Sequence, residues 1–67
     1  MAVARVTEIS STSPTSFDDA IQRGVARATK TLRNVRSAWV KEQRIDIKND
    51  KIAEYQVNLM VTFVLED

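Results

Sequence analysis

The chain has 67 residues, ten basic and nine acidic, with a net charge of +1, 43% hydrophobic residues and neither cysteine nor histidine. That length allows one domain, residues 1–67, which buries only roughly 60% of its unfolded surface and is marginal as a monomer. Disulfides and the usual zinc, copper and haem sites lose their groups, so oligomerisation is the staple that remains. The near-neutral balance also argues against a polyanion such as nucleic acid as the partner of the whole surface.

Charge is unevenly spread. Met1 to Arg36 carries six basic and three acidic residues, Ser37 to Asp67 four basic and six acidic, which favours attraction between copies. No apolar run approaches the roughly 18 residues of a membrane span, and Met1 to Arg5 carries no signal-peptide core. A soluble cytoplasmic protein without a membrane partner is the expectation.

Ala2 to Ile9 is short and rich in β-branched residues, and predicts a first strand. Ser10 to Ser16, hydroxyl residues around the only proline, reads as a loop. Ser16 and Asp19 have the spacing of a capping box, with Asp in place of the usual Glu, so a helix is expected from about Phe17. Phe17, Ile21, Val25, Ala28, Leu32 and Val35 then recur at steps of four and three, one stripe of an amphipathic helix of about five turns. Arg23, Arg27, Lys30 and Arg33 lie on other faces. With no interleaved aromatic residues they read as a solvated or ion-pairing face rather than a nucleic-acid surface. Gly24 beside the stripe suggests close packing.

The C-terminal half, Ser37 to Glu66, consists of two alternating runs joined at Lys48-Asn49-Asp50-Lys51. Asn and Asp suit a primed two-residue hairpin turn, so the runs should pair antiparallel with Lys48 facing Lys51. A uniform register then sets Ala38 opposite Val61, Val40 opposite Leu59 and Glu42 opposite Val57 on one face. On the other, Trp39 faces Met60 and Gln43 faces Gln56. Tyr55, Val57, Leu59, Val61, Phe63 and Leu65 mark the face that the helix covers. The opposite face, with Trp39, Ile45, Ile47, Met60 and Val64 among amides and hydroxyls, reads as a subunit contact, a ligand platform, or both, against the plainer alternative of ordinary surface. The fold class that follows is α+β, a β-α-β-β chain whose long helix crosses one face of a three-stranded antiparallel sheet.

Enzyme motifs are missing: there is no P-loop, no Gly-rich dinucleotide turn and no nucleophile with a His or Cys partner. Glu42, placed by this register on the core side near Arg44, reads as an ion pair at the sheet edge. Carboxylates gathered around a symmetry axis would be an alternative, a site for a hard cation such as calcium.

Thr12-Ser13-Pro14-Thr15-Ser16, Asp19-Ala20-Ile21-Gln22, Ala26-Arg27-Ala28, Lys30-Thr31-Leu32-Arg33-Asn34, Tyr55-Gln56-Val57 and Leu65-Glu66-Asp67 together resemble the dodecin family, without gaps from about Val6 to the end. That resemblance implies a β-α-β-β subunit with its three-stranded antiparallel sheet partly wrapped around one helix, and a homododecamer, a hollow sphere of 23 symmetry that stores flavin rather than transforming it, with flavins stacked in pairs between tryptophans at the two-fold contacts. It also implies that Gln56 bonds the isoalloxazine edge and that Arg44 is the arginine common in bacterial members. Ser37 stands where the stacking tryptophan of such flavoproteins belongs, and Trp39 lies two residues on, displaced by about 7 Å on the same face. The run Arg36 to Gln43 is similar to a branch without that tryptophan, which implies a flavin-independent, calcium-binding or structural alternative. The expected site residues are therefore Trp39 for stacking, with Ser37 beside it, Gln43 and Gln56 as amides, and Arg44 or Lys41 for the phosphate of FMN; riboflavin is the ligand without one.

Overall fold

The computed structural model describes residues 3–65, in the order β1 (Ala4–Ser13), α1 (Phe17–Thr31), β2 (Val35–Lys48) and β3 (Lys51–Val64). The strands form one antiparallel sheet in the order β1-β3-β2, so β3 is central and the other two are edges. This is the β-α-β-β arrangement expected from the sequence. Asn49 and Asp50 both have positive φ, 53° and 63°, and Lys48 pairs with Lys51, as the hairpin reading requires.

β1 is longer than its apolar content suggested. Ser10 to Ser13 continue the strand opposite Asn58 to Tyr55, and Ala2 lies outside the described residues. Their backbone is held by the central strand, which overrides the loop tendency of small hydroxyl residues. Side chains use the hydroxyls at the corner. Ser13, 1% exposed, donates from Oγ to Asp19 Oδ2 at 2.5 Å and accepts from the backbone N–H groups of Thr15 and Ser16. Ser16 is the N-cap, accepting from Asp19 N at 3.0 Å, and Asp18 and Asp19 lie in the positive first turn.

The helix is shorter than expected. It ends at Thr31, with Leu32 as its cap, and Asn34 at φ 59° turns the chain so that Val35 opens β2 opposite Phe63. Val35 packs on the core from a strand instead of a helix, and the apolar spacing fits either placement. The core is small: Ala20, Ala28, Val57, Leu59 and Val61, with Ile9, Phe17, Ile21, Leu32 and Val35 packed against it. Burial of each large aliphatic side chain contributes about 1.5–3 kcal/mol. Phe17 meets Tyr55 edge to face at a centroid distance of 5.1 Å, so Tyr55 does face the helix.

At Gly24 the helix packs closely on the sheet. A Cβ built there would stand 2.8 Å from Leu59 Cδ1 and 3.1 Å from Ser11 Cβ, and Ser11 Oγ clamps the same approach by donating to the Ala20 carbonyl at 2.7 Å. Alanine in place of glycine gains about 1 kcal/mol of helix propensity in general. Here the overlap with a fully buried leucine should outweigh that gain: Gly24→Ala is expected to lower stability by about 1–3 kcal/mol in urea unfolding, and an unchanged or raised midpoint would contradict the close-packing role.

Asp19 has a carboxyl held below its ordinary value of 3.8, first by the Ser13 hydroxyl, against desolvation that raises it, and then by the Arg23 guanidinium 2.8 Å away. A carboxyl depressed in the folded state contributes stability that is complete above its unfolded pKa and is lost as pH falls through the folded one. Asp19→Asn is therefore expected to unfold at lower denaturant near neutrality, and the gap from the parent should close as pH drops below 3.8; a constant gap would contradict it.

Candidate functional site

The helix covers one face of the sheet only. On the other face β3 presents Gln56, Asn58, Met60, Thr62 and Val64, because its odd-numbered neighbours Val57, Leu59 and Val61 are buried beneath α1. β1 adds Val6, Glu8, Ser10 and Thr12 beside them.

β2 joins this face with a change of phase. Ser37 pairs with Thr62 and Trp39 with Met60, as expected, and Trp39 is 51% exposed. After Val40, opposite Leu59, the next pair is Glu42 with Asn58, so Lys41 is an extra residue in a β-bulge. From there the residues opposite β3 are shifted by one: Gln43 pairs with Val57 and Arg44 with Gln56. The expected Gln43–Gln56 pair is thus corrected to Arg44–Gln56, with Gln43 on the helix side. Glu42 likewise belongs to the open face and not to the core side. Ile45, opposite Tyr55, leaves the open face for the helix side, and Ile47 follows it two residues on. Further bulges at Arg36 and, on β3, at Ala53 complete the irregularities. A one-residue slip moves every later side chain to the other face, and alternation in sequence carries no mark of where a bulge will fall.

Of the expected site residues, Gln43 lies on the helix side and Lys41 reaches Glu8 from the bulge, while Ser37, Trp39, Arg44 and Gln56 share the open face. They form two clusters. Trp39 and Ser37 sit near the start of β2, with Met60 and Thr62 across from them, while Arg44 and Gln56 sit four β3 positions away, about 13 Å along the strand.

Between the clusters lies a polar network that spans all three strands. Asn58 Nδ2 donates to Glu8 Oε2 and to Glu42 Oε1, each at 3.2 Å, and Lys41 Nζ donates to Glu8 Oε1 at 3.1 Å. Gln56 Nε2 donates to Ser10 Oγ at 3.0 Å and to Asn58 Oδ1 at 3.3 Å, which leaves its carbonyl oxygen to accept from a ligand. Sequence reasoning missed Glu8 and Asn58 as members, and it misplaced Glu42. Their convergence depends on the bulge and on β1 lying beside β3, neither of which leaves a local signal.

The open face is chemically mixed. It offers one flat aromatic ring, amides, a guanidinium and two carboxylates already hydrogen-bonded. Among the described residues no group of three or more metal-ligating Asp, Glu, His or Cys side chains is gathered in one place. A larger cavity, about 510 Å³, lies elsewhere, between β1 and α1. Two of its polar lining groups are already engaged, Ser11 with the Ala20 carbonyl and Arg23 with Asp19.

The sequence and the fold place the chain among known proteins. A family model described as Dodecin matches residues 3–66. Dodecin of Thermus thermophilus is 43% identical over 65 residues, which cover 97% of this chain and 94% of that protein. Calcium dodecin of Mycobacterium tuberculosis is 35% identical over 63 residues, 94% of this chain and 89% of that one. The solved structure of dodecin from Streptomyces coelicolor is similar with a TM-score of 0.93 at 38% identity, covering 98% of this chain and 94% of that chain. The calcium-chelating calcium dodecin of Mycobacterium tuberculosis, solved with a calcium-binding site, is similar with a TM-score of 0.82 at 35% identity, covering 96% and 91%. With a family match over nearly its whole length and the same β-α-β-β fold, the chain belongs to the dodecin family of small dodecameric ligand-binding proteins.

Proposed function

We propose that this chain is a non-catalytic, cytoplasmic storage protein that assembles as a homododecamer and takes a flavin, FMN or riboflavin, as its first candidate ligand. The observation that carries this reading is Trp39, a large aromatic ring half exposed on a sheet face and flanked by hydrogen-bonding side chains. Stacking on such a ring is worth about 0.5–1.5 kcal/mol beyond simple burial. Met60 opposite adds a soft, polarizable contact, and Gln56 and Arg44 supply an amide for the polar edge of the ring and a fork of donors for a phosphate.

The spacing of the two clusters bears on how the ligand is held. About 13 Å separates Trp39 from the Arg44–Gln56 pair within one subunit, so a ring stacked on Trp39 of one copy draws its amide from another. That makes the site a property of the assembly. Ser37 brings a hydroxyl to the position of the family's stacking tryptophan, and binding is accordingly weaker than where that ring is present. Neither nucleic acid nor a membrane is among the proposed partners; among the described residues, no helix is long and apolar enough to cross a bilayer.

The second reading is a flavin-independent assembly that binds calcium or another cation, or is purely structural. The observation that favours it is the pair Glu8 and Glu42, brought together on Asn58 within two hydrogen-bond lengths of one another. Calcium takes six to eight oxygens, so copies must pool their carboxylates. The Lys41 ammonium, already bonded to Glu8, competes with any cation there.

Titration of FMN and riboflavin, followed by flavin and tryptophan fluorescence, separates the two readings. The expected outcome is mutual quenching, weakened about tenfold by Trp39→Ala and strengthened by Ser37→Trp. Quenching undiminished in Trp39→Ala would overturn the stacking site. Calorimetric titration with calcium after chelation tests the second reading, and no heat together with no thermal shift at millimolar calcium would remove it. A stable monomer or dimer in light scattering at micromolar concentration would overturn the homododecamer.

A further inference from the structure

Two carboxylates meet on one amide nitrogen of the open face. Asn58 Nδ2 lies 3.2 Å from Glu8 Oε2 and 3.2 Å from Glu42 Oε1, so each of its hydrogens is taken by one glutamate. A carboxylate only accepts, and Asn58 cannot turn its amide over without setting Oδ1 against two negative oxygens. Lys41 Nζ, 3.1 Å from Glu8 Oε1, holds that glutamate by its other oxygen. The direction of Asn58 is thereby fixed.

The next amide follows from the first. Asn58 Oδ1 faces Gln56 at 3.3 Å and can only accept, so Gln56 presents Nε2 to it, and the second Nε2 hydrogen goes to Ser10 Oγ at 3.0 Å. All four amide hydrogens of the two side chains are then engaged. What Gln56 has left for a ligand is its carbonyl oxygen. Directly opposite it on β2 stands Arg44, which only donates, at the Cβ separation of about 5 Å usual for such a pair.

We propose that Asn58, anchored by Glu8 and Glu42, is a positioning residue that locks Gln56 as a hydrogen-bond acceptor, so that the site selects a ring edge carrying an N–H donor beside a carbonyl. This rests on the proposed flavin site and names what that site demands of the ring. FMN and riboflavin meet the demand with their imide, an N–H flanked by carbonyls: the N–H reaches the Gln56 oxygen and a carbonyl accepts from Arg44. An analogue methylated at the imide nitrogen keeps the ring, its carbonyls and its tail but has no donor there. It leaves the Gln56 oxygen without a partner.

The test compares riboflavin with its imide-methylated analogue by fluorescence titration, in the parent, in Asn58→Leu, and in a chain carrying both Glu8→Gln and Glu42→Gln. Circular dichroism and light scattering check the fold and the assembly; Glu8 and Glu42 are exposed, so the double variant is expected to fold. The parent is expected to bind riboflavin about tenfold or more tightly than the analogue. Both variants are expected to reduce that ratio to about threefold or less, because a released Gln56 can turn its amide hydrogens toward a ring carbonyl instead. A side chain that merely supported the fold would weaken both ligands alike and leave the ratio unchanged. A parent without preference, or a preference that survives Asn58→Leu, overturns the positioning role while the flavin site stands. If riboflavin does not bind the parent, the flavin reading falls, and the lock is read in the ligand-free protein from nitrogen relaxation of the Gln56 side-chain amide. An amide ordered in the parent and loosened in Asn58→Leu is expected; one as mobile in the parent as in the variant overturns the lock.

Discussion

A mismatch of lengths governs this molecule. Its single helix of 15 residues is roughly 22 Å long, whereas the 14-residue strands β2 and β3 each run about 46 Å. One helix cannot cover such a sheet. It lies over the centre, where Val57, Leu59 and Val61 are buried, and it leaves the β2 edge, the hairpin tip and the whole opposite face uncovered. Gly24 and the Ser11–Ala20 hydrogen bond draw the helix tightly onto the part it does cover, so the core gains density but not extent.

The same mismatch bears on the proposed site between copies. A chain with so small a core is marginal alone, and it belongs to a family of dodecamers, in which association buries surface that one subunit leaves open. In the proposed assembly, burial of such surfaces between subunits would create clefts that no single subunit contains. Trp39, half exposed in one chain, is suited to a wall of such a cleft, and the distance to Gln56 and Arg44 calls for another copy to complete it.

The bulge at Lys41 decides which chemistry lies on the open face. With one extra residue in β2, Glu42 and Arg44 are turned onto the open face and Gln43 away from it, and Lys41 itself reaches Glu8 across the sheet. Asn58 and Gln56 then connect the carboxylates and hydroxyls of both edge strands into one network. Such a network holds its side chains in place before a ligand arrives, which lowers the ordering cost of binding. It also sets a guanidinium, rather than a second amide, beside Gln56.

The sequence by itself determined the elements, the turn and the face of β3. Period-two alternation from Tyr55 to Phe63, an Asn-Asp pair at the hairpin and a Ser16 cap before an apolar stripe are local signals, each tied to the geometry of a few adjacent residues. The pairs nearest that logic, Trp39 with Met60 and Lys48 with Lys51, were legible for the same reason. Where an element ended was less so: the stripe that suggested helix as far as Val35 fits a strand there equally well, and Ser10 to Ser13 became strand only because β3 offered them partners. Only the tertiary structure decided the members of the site. Glu8 meets Asn58 from fifty residues away, and Arg44 replaces Gln43 because a bulge intervenes. A long antiparallel ribbon that must twist around a helix relieves its strain with extra residues, and their positions follow from the curvature of the whole sheet rather than from the identity of any residue in it.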